Sequence, residues 1–208
     1  HANGLILQPT KLAPAERAQL VKEVEAAKRD HAAVRAKVRD VQGVRPEVYQ
    51  KRRNPRPEAT AELRALGKDA LFPMLEAIAI ERAQPGLAAE EQQALAVGLL
   101  SAVGELRDAR AQSVLTAVLE GEASSTPIAL AAALGLGKRC DDAALGALKA
   151  QTGASSKVRA AALEGLGECR RAESLAILVA AARAAGSDAE ANGVARARGA
   201  YGSSWAWA

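Results

Sequence analysis

Aromatic residues are almost missing from this chain: one Phe, two Tyr and two Trp among 208 residues. An ordinary globular core takes much of its buried area from those rings, so this chain has to bury area in another way. Ala and Leu take their place, and 49% of the residues are hydrophobic. Small side chains let helices come close together, and Ala has the highest helix propensity. Alternating β-branched runs are scarce too, which argues against a sheet sandwich and predicts almost no strand. No apolar run nears the ~20 residues a membrane-spanning helix needs. The longest, residues 128–137, is closed by Lys138 and Arg139.

Residues that carry chemistry are equally sparse. The two His are His1 and His31. There is no His-Glu-x-x-His, no Cys-x-x-Cys and no Gly-x-Ser-x-Gly. Gly135-Leu136-Gly137 lacks the third Gly of a dinucleotide loop. Gly67-Lys68 and Gly137-Lys138 lack the Ser or Thr that would hold magnesium. Glu90-Glu91 and Asp141-Asp142 are neighbouring carboxylates. Neighbours on a helix point about 100° apart, so these pairs do not converge on one proton or metal. Capping and helix-dipole roles fit them better. No enzyme, cofactor or metal site is expected.

Charge is unevenly placed. Residues 1–60 hold 13 Lys/Arg against 7 Asp/Glu, and the remainder holds 15 against 17. Residues 1–12 read as a leader. Residues 13–42 read as one long helix, with a seam of Leu20, Val24, Ala27, His31, Val34, Val38 and Val41. Steps of four and three make that seam a heptad stripe, suited to lying along another helix of the chain or of a dimer. Residues 43–58 form a Pro- and Arg-rich linker containing Lys51, Arg52, Arg53 and Arg56. Pro55 and Pro57 are expected to keep the residues before them out of the helical region.

From there the sequence repeats. Leu134-Gly135-Leu136-Gly137 returns as Glu164-Gly165-Leu166-Gly167, and Leu145 and Leu148 return as Leu175 and Leu178. The period is 30 residues, within the roughly 20–50 that mark a solenoid or array. Gly67, Gly104, Gly137, Gly167 and Gly202 mark successive copies, each after an apolar or aromatic residue. Each is expected to end a helix in the left-handed conformation. The array spans 59–202, and residues 203–208 form a terminal tail.

Two segments carry a family resemblance: Val158-Arg159-Ala160-Ala161-Ala162-Leu163-Glu164-Gly165-Leu166-Gly167, and Gly104-Glu105-Leu106-Arg107-Asp108-Ala109-Arg110-Ala111. The second resembles the "Gly-x-x-Asp-x-Arg-Ala" turn of the HEAT-repeat family, in its short bacterial, phycobiliprotein-lyase-type form. The resemblance covers 59–202. It implies an all-α, right-handed α-solenoid of four to five helical hairpins, armadillo-like in its stacking, after one long N-terminal helix. HEAT-like hydroxylases carry His-Glu metal pairs, and HEAT-like DNA glycosylases place aromatics in a basic groove. This chain has no such pair and scarcely any such aromatics. Nothing in it supplies a pigment pocket for a lyase.

Cys140 and Cys169 fall in turns on one edge of such a stack. Packed helices sit 8–10 Å apart, and a disulfide needs Cα atoms within about 7 Å. A bridge therefore requires the turns to lean together, and both states are open from sequence. His1-Ala2 fits the tail of an Ala-x-Ala export box and equally a remnant of expression. The balance leans to an exported, periplasmic protein over a cytoplasmic one.

The expected function is a non-catalytic scaffold whose concave face binds another protein. Exposed positions Glu76, Arg110, Lys149 and Arg183 would serve it, with Lys51, Arg52, Arg53 and Arg56 adding an electrostatic contact. The alternative is nucleic-acid binding through Arg17, Lys28, Arg35, Lys37, Arg39 and the basic loop, with affinity falling steeply in salt. Interleaved acids and absent stacking aromatics weigh against it.

Overall fold

Helix-forming residues dominate locally, and helices result. The computed structural model describes residues 4–42, 56–81, 88–121, 126–153, 156–185 and 188–201. Among them stand eleven α-helices, a few 3-10 turns and no strand. Contacts divide the chain into two compact units, His1–Leu106 and Arg107–Ala208.

The first unit holds α1 (Pro14–Asp30), α2 (Ala32–Gln42), α3 (Arg56–Ala65), α4 (Leu71–Ala79) and α5 (Ala89–Leu106). Pro14 opens α1 at a position where its missing N–H costs nothing, and Glu16 accepts from the Ala13 N–H at 3.3 Å. The seam residues Leu20, Val24 and Ala27 are buried where α1 packs on α4. The single helix expected over 13–42 is instead two, because the backbone breaks at His31 (φ −128°, ψ 36°). Bonds from the His31 N–H to Ala27 O and from the Arg35 N–H to His31 O, both 2.9 Å, carry the chain through the bend. α1 thereby lies on α4, while α2 reaches both α3 and α4 and buries Val38. Leu20, Val24, Ala27 and Val38 of the heptad seam are thus buried within the chain, and His31, Val34 and Val41 are half-buried.

All nine residues of α4 are buried. Its last carbonyls, which no helix can satisfy internally, are met by the leader. Leu5 donates to Ala77 O at 2.8 Å, and Ile6 and Leu7 donate to Ile78 O at 3.1 and 3.0 Å. A Cβ at Gly4 would strike the Ile78 carbonyl. Leu7 of this strap and Leu12 after it are buried.

α3 begins at Arg56, so Arg56 is helical after all. Pro57 takes the second position of the helix, where it removes no internal hydrogen bond. Most of the 43–58 linker, with Lys51, Arg52 and Arg53, lies outside the described residues, as do Gly202 and the 203–208 tail. Gly67 has φ +71° and ψ −161°, a positive-φ conformation that favours glycine but not the left-handed helical one expected.

The second unit holds α6 (Gln112–Glu120), α7 (Thr126–Arg139), α8 (Asp142–Ala150), α9 (Ser156–Glu168), α10 (Ala172–Arg183) and α11 (Asp188–Tyr201). α7 packs with α8 and α9 with α10, and α9 lies between α7 and α11. Here the glycines have a different role from the one expected. Gly137 and Gly167 stand inside the last turns of their helices, as Gly104 does in α5 of the first unit, and none of them has positive φ. The left-handed residues are Arg107 (φ 51°) and Cys140 (φ 52°).

What the glycines supply is room. A Cβ at Gly137 would meet the Gly165 carbonyl, one at Gly165 would lie 2.5 Å from Ala133 O, and one at Gly167 would meet the Ala197 carbonyl. Backbone touches backbone along α7, α9 and α11. Gly146 on α8 is the contrast, with nothing within 4 Å of a would-be Cβ. We predict that Gly165→Ala lowers unfolding free energy by about 1–3 kcal/mol, the cost of overpacking. Gly146→Ala should raise it by about 0.5–1 kcal/mol through helix propensity. Urea titrations of the two variants measure the contrast.

Candidate functional site

The sequence nominated Glu76 as an exposed contact, and the structure places it inside. Glu76 is 4% exposed. It is the one charged residue in a helix apolar on every face, and a charge in that position needs a partner to stay buried. That isolation was the signal in the sequence that Glu76 is internal. Arg35 supplies the partner from α2 with a two-pronged grip: Nε to Oε2 at 2.8 Å and Nη2 to Oε1 at 2.7 Å. Lys28 on α1 comes within 3.4 Å and also binds Glu25 at 2.8 Å. His31, at the bend, faces Asp69 at 3.7 Å.

The balance of forces on Glu76 is clear in sign. Burial pushes its carboxyl up, but the Arg35 hydrogen bonds and charge, joined by Lys28, outweigh it and hold it below the usual carboxylate range. Arg35 is correspondingly raised by its bonds to Glu76, and Lys28 by its bond to Glu25 and the charge of Glu76. Lys28 and Arg35 are thus turned inward, so two cations of the nucleic-acid alternative are committed elsewhere. Arg17 and Lys37 remain exposed, and Arg39 is half-buried.

Of the other nominated residues, Arg56 opens α3. Arg110 is exposed and folds back on Asp108, with Nε to Oδ1 at 2.9 Å and Nη2 to Oδ2 at 2.7 Å. Lys149 and Arg183 end α8 and α10 exposed, and neither side chain is engaged within the described residues. Both cations sit at helix C-termini, where they complement the macrodipole. Between them and the helix starts, the open faces are small: Ala143, Gly146 and Ala150 on α8, and Ala172, Ala176 and Ala180 on α10.

What sequence reasoning missed is a set of polar ties between successive hairpins of the second unit. Arg139 donates to Ala109 O at 3.1 Å across 30 residues. Gln112 donates to Ala143 O at 3.3 Å and Gln151 to Glu120 at 3.0 Å, each across 31. Arg171 pairs with Asp142 at 2.6 Å across 29, and Arg196 with Glu164 at 3.5 Å across 32. Cys140 and Cys169 are joined by a disulfide across 29 residues, with Cα atoms 5.1 Å apart. The turns do lean together.

The carboxylate pairs act as caps. Asp141 accepts from the Ala144 N–H at 2.9 Å, and Glu91 accepts from the Ala88 N–H at 3.0 Å. The Arg139 guanidinium, with the Ala144 N–H, holds Asp141 below the usual carboxylate range. No cluster of metal-ligating side chains and no helix long and apolar enough to cross a membrane occurs among the described residues. Comparison with protein families, curated proteins and solved structures finds no match.

Glu76 yields a prediction with a definite sign. Its folded-state pKa is depressed, so its stabilisation is complete above the unfolded value of 4.5 and is lost as pH falls through the folded value. Glu76→Gln should cost about 1.5–3 kcal/mol at pH 7, the worth of charged hydrogen bonds. The gap between variant and parent should close as pH drops below that of an ordinary carboxylate, measured by urea titration at a series of pH values.

Proposed function

We propose that the chain is a HEAT-like α-solenoid acting as a non-catalytic scaffold that binds another protein. The observation that carries this reading is the near-constant span of the inter-hairpin ties. Six contacts of unlike chemistry all join residues 29 to 32 apart. A repeated supersecondary unit in constant register gives that outcome, and an irregular helical bundle does not. The same period stands in the sequence, where the HEAT-like segments lie.

A stacked array offers a broad face built from its second helices. In this chain those are α6, α8 and α10. Lys149 and Arg183 give the face exposed cations with no internal partner among the described residues, and the Ala and Gly positions between leave space for a partner's backbone. The partner class that fits is a protein segment bearing carboxylates. The role is a proposal from architecture, since one fold serves many functions.

Charge reversal at both cations is the test. Lys149→Glu with Arg183→Glu should reduce capture of cross-linked protein partners about tenfold, the loss expected when about 1.4 kcal/mol of contact energy is removed. The melting temperature should fall by only a few degrees, the loss expected from reversing two exposed charges at helix C-termini. Equal recovery by parent and variant, or recovery of nothing by either, would defeat the scaffold reading.

A further inference from the structure

Each cysteine of the bridge is coupled to the start of a second helix. Cys140 directly precedes Asp141, whose carboxylate caps α8 through the Ala144 N–H. The carbonyl of Cys169 accepts from the Arg171 N–H at 2.9 Å and from the Ser174 hydroxyl, and those residues flank the start of α10. The disulfide therefore ties the first turn of α8 to the first turn of α10.

The other contacts at this joint differ greatly in strength. On the first-helix side, α7 and α9 meet backbone to backbone at Gly137, Gly165 and Ala133. On the turn edge, the Arg171–Asp142 pair stands beside the disulfide, with the Asp142 side chain 93% exposed. An exposed pair of that kind contributes little. The covalent bond is the strong element on that edge, and the packed glycines are the strong element behind it.

We propose that the Cys140–Cys169 disulfide is a redox-sensitive lock on the spacing of α8 and α10, opened by a dithiol reductant while the helices stay folded. Cys169 is fully buried and Cys140 half-buried, so the entering thiolate attacks the Cys140 sulfur. The bond between the two cysteines breaks, and Cys169 leaves as a thiolate that takes up a proton. The reductant's second thiolate then attacks the mixed disulfide, releasing Cys140 as a thiolate that is protonated in turn. The reductant is oxidised to its own disulfide, and two electrons and two protons have been delivered. With the lock open, the turn edge loses its covalent tie while the Arg171–Asp142 pair and the packing of each helix on α9 remain, and the first turns of α8 and α10 can separate. The inference stands whether or not their faces bind a partner.

Hydrogen exchange followed by mass spectrometry tests it on the full chain, oxidised and after treatment with excess dithiothreitol without denaturant. Reduction should speed exchange at least tenfold in peptides covering the first turns of α8 and α10. Peptides from the middle of α7 and α9 should be unchanged, and helical circular dichroism should be retained. The double variant Cys140→Ser/Cys169→Ser should show the fast pattern with or without the reductant. Three outcomes would each overturn the proposal. One is a bridge that survives the reductant in the native protein. Another is identical exchange in both states. The third is loss of helix on reduction, which would make the bond a staple of the whole unit.

Discussion

The second unit depends on how closely α7, α9 and α11 approach one another. Their backbones touch at Gly137, Gly165 and Gly167, where even a methyl group would meet a carbonyl oxygen. Helices that close leave no room for rings between them, which is why so large an apolar fraction comes with so few aromatics. Ala129, Ala132, Ala133, Ala161 and Ala162 fill the remaining contact surface, each essentially buried. Leu136, Leu148 and Leu166 supply the larger buried area around them. Tight interior packing is what makes such a surface cohesive, since dispersion gain falls off quickly with separation.

The first unit solves the same problem by other means. α4 concentrates five large buried apolar side chains, Leu71, Phe72, Met74, Leu75 and Ile78, in its nine residues. One charge, Glu76, stands in that apolar helix, and two cations from α1 and α2 neutralise it. A buried ion pair is a poor source of net stability against an apolar substitute of the same shape. What it does is direction: Arg35 meets Glu76 at one position of α2 and in one geometry, which sets where the helix lies after the bend at His31.

Much of this was legible in the sequence. The helices, the absence of strand among the described residues and the positions of the helices along the chain all follow from propensity and apolar spacing. Gly67 was read correctly as a positive-φ residue after a helix, though its ψ of −161° is not that of a left-handed helix end. The register of Gly137 and Gly167 was legible too, but not their purpose. A glycine near a helix end has the same local pattern whether it turns the chain or admits a neighbour, and the neighbour is set by tertiary contact. The break at His31 left no mark because the heptad steps run through it undisturbed. Glu76 was misplaced because it was read from its copy position, when the apolar residues around it in α4 held the answer. The polar ties escaped notice since their residue types differ from one joint to the next.

That variety has a consequence of its own. An Arg on a carbonyl, a Gln on a carbonyl, a Gln on a carboxylate, two Arg–carboxylate pairs and a sulfur–sulfur bond hold equivalent seams of one unit. Ion pairs soften with added salt, amide bonds scarcely notice it, and a disulfide responds to electron donors instead. Surroundings that relax one seam therefore leave its neighbours firm. The unit is thereby mechanically individual along its length, with the distinction written in side chains that the helix pattern itself does not specify.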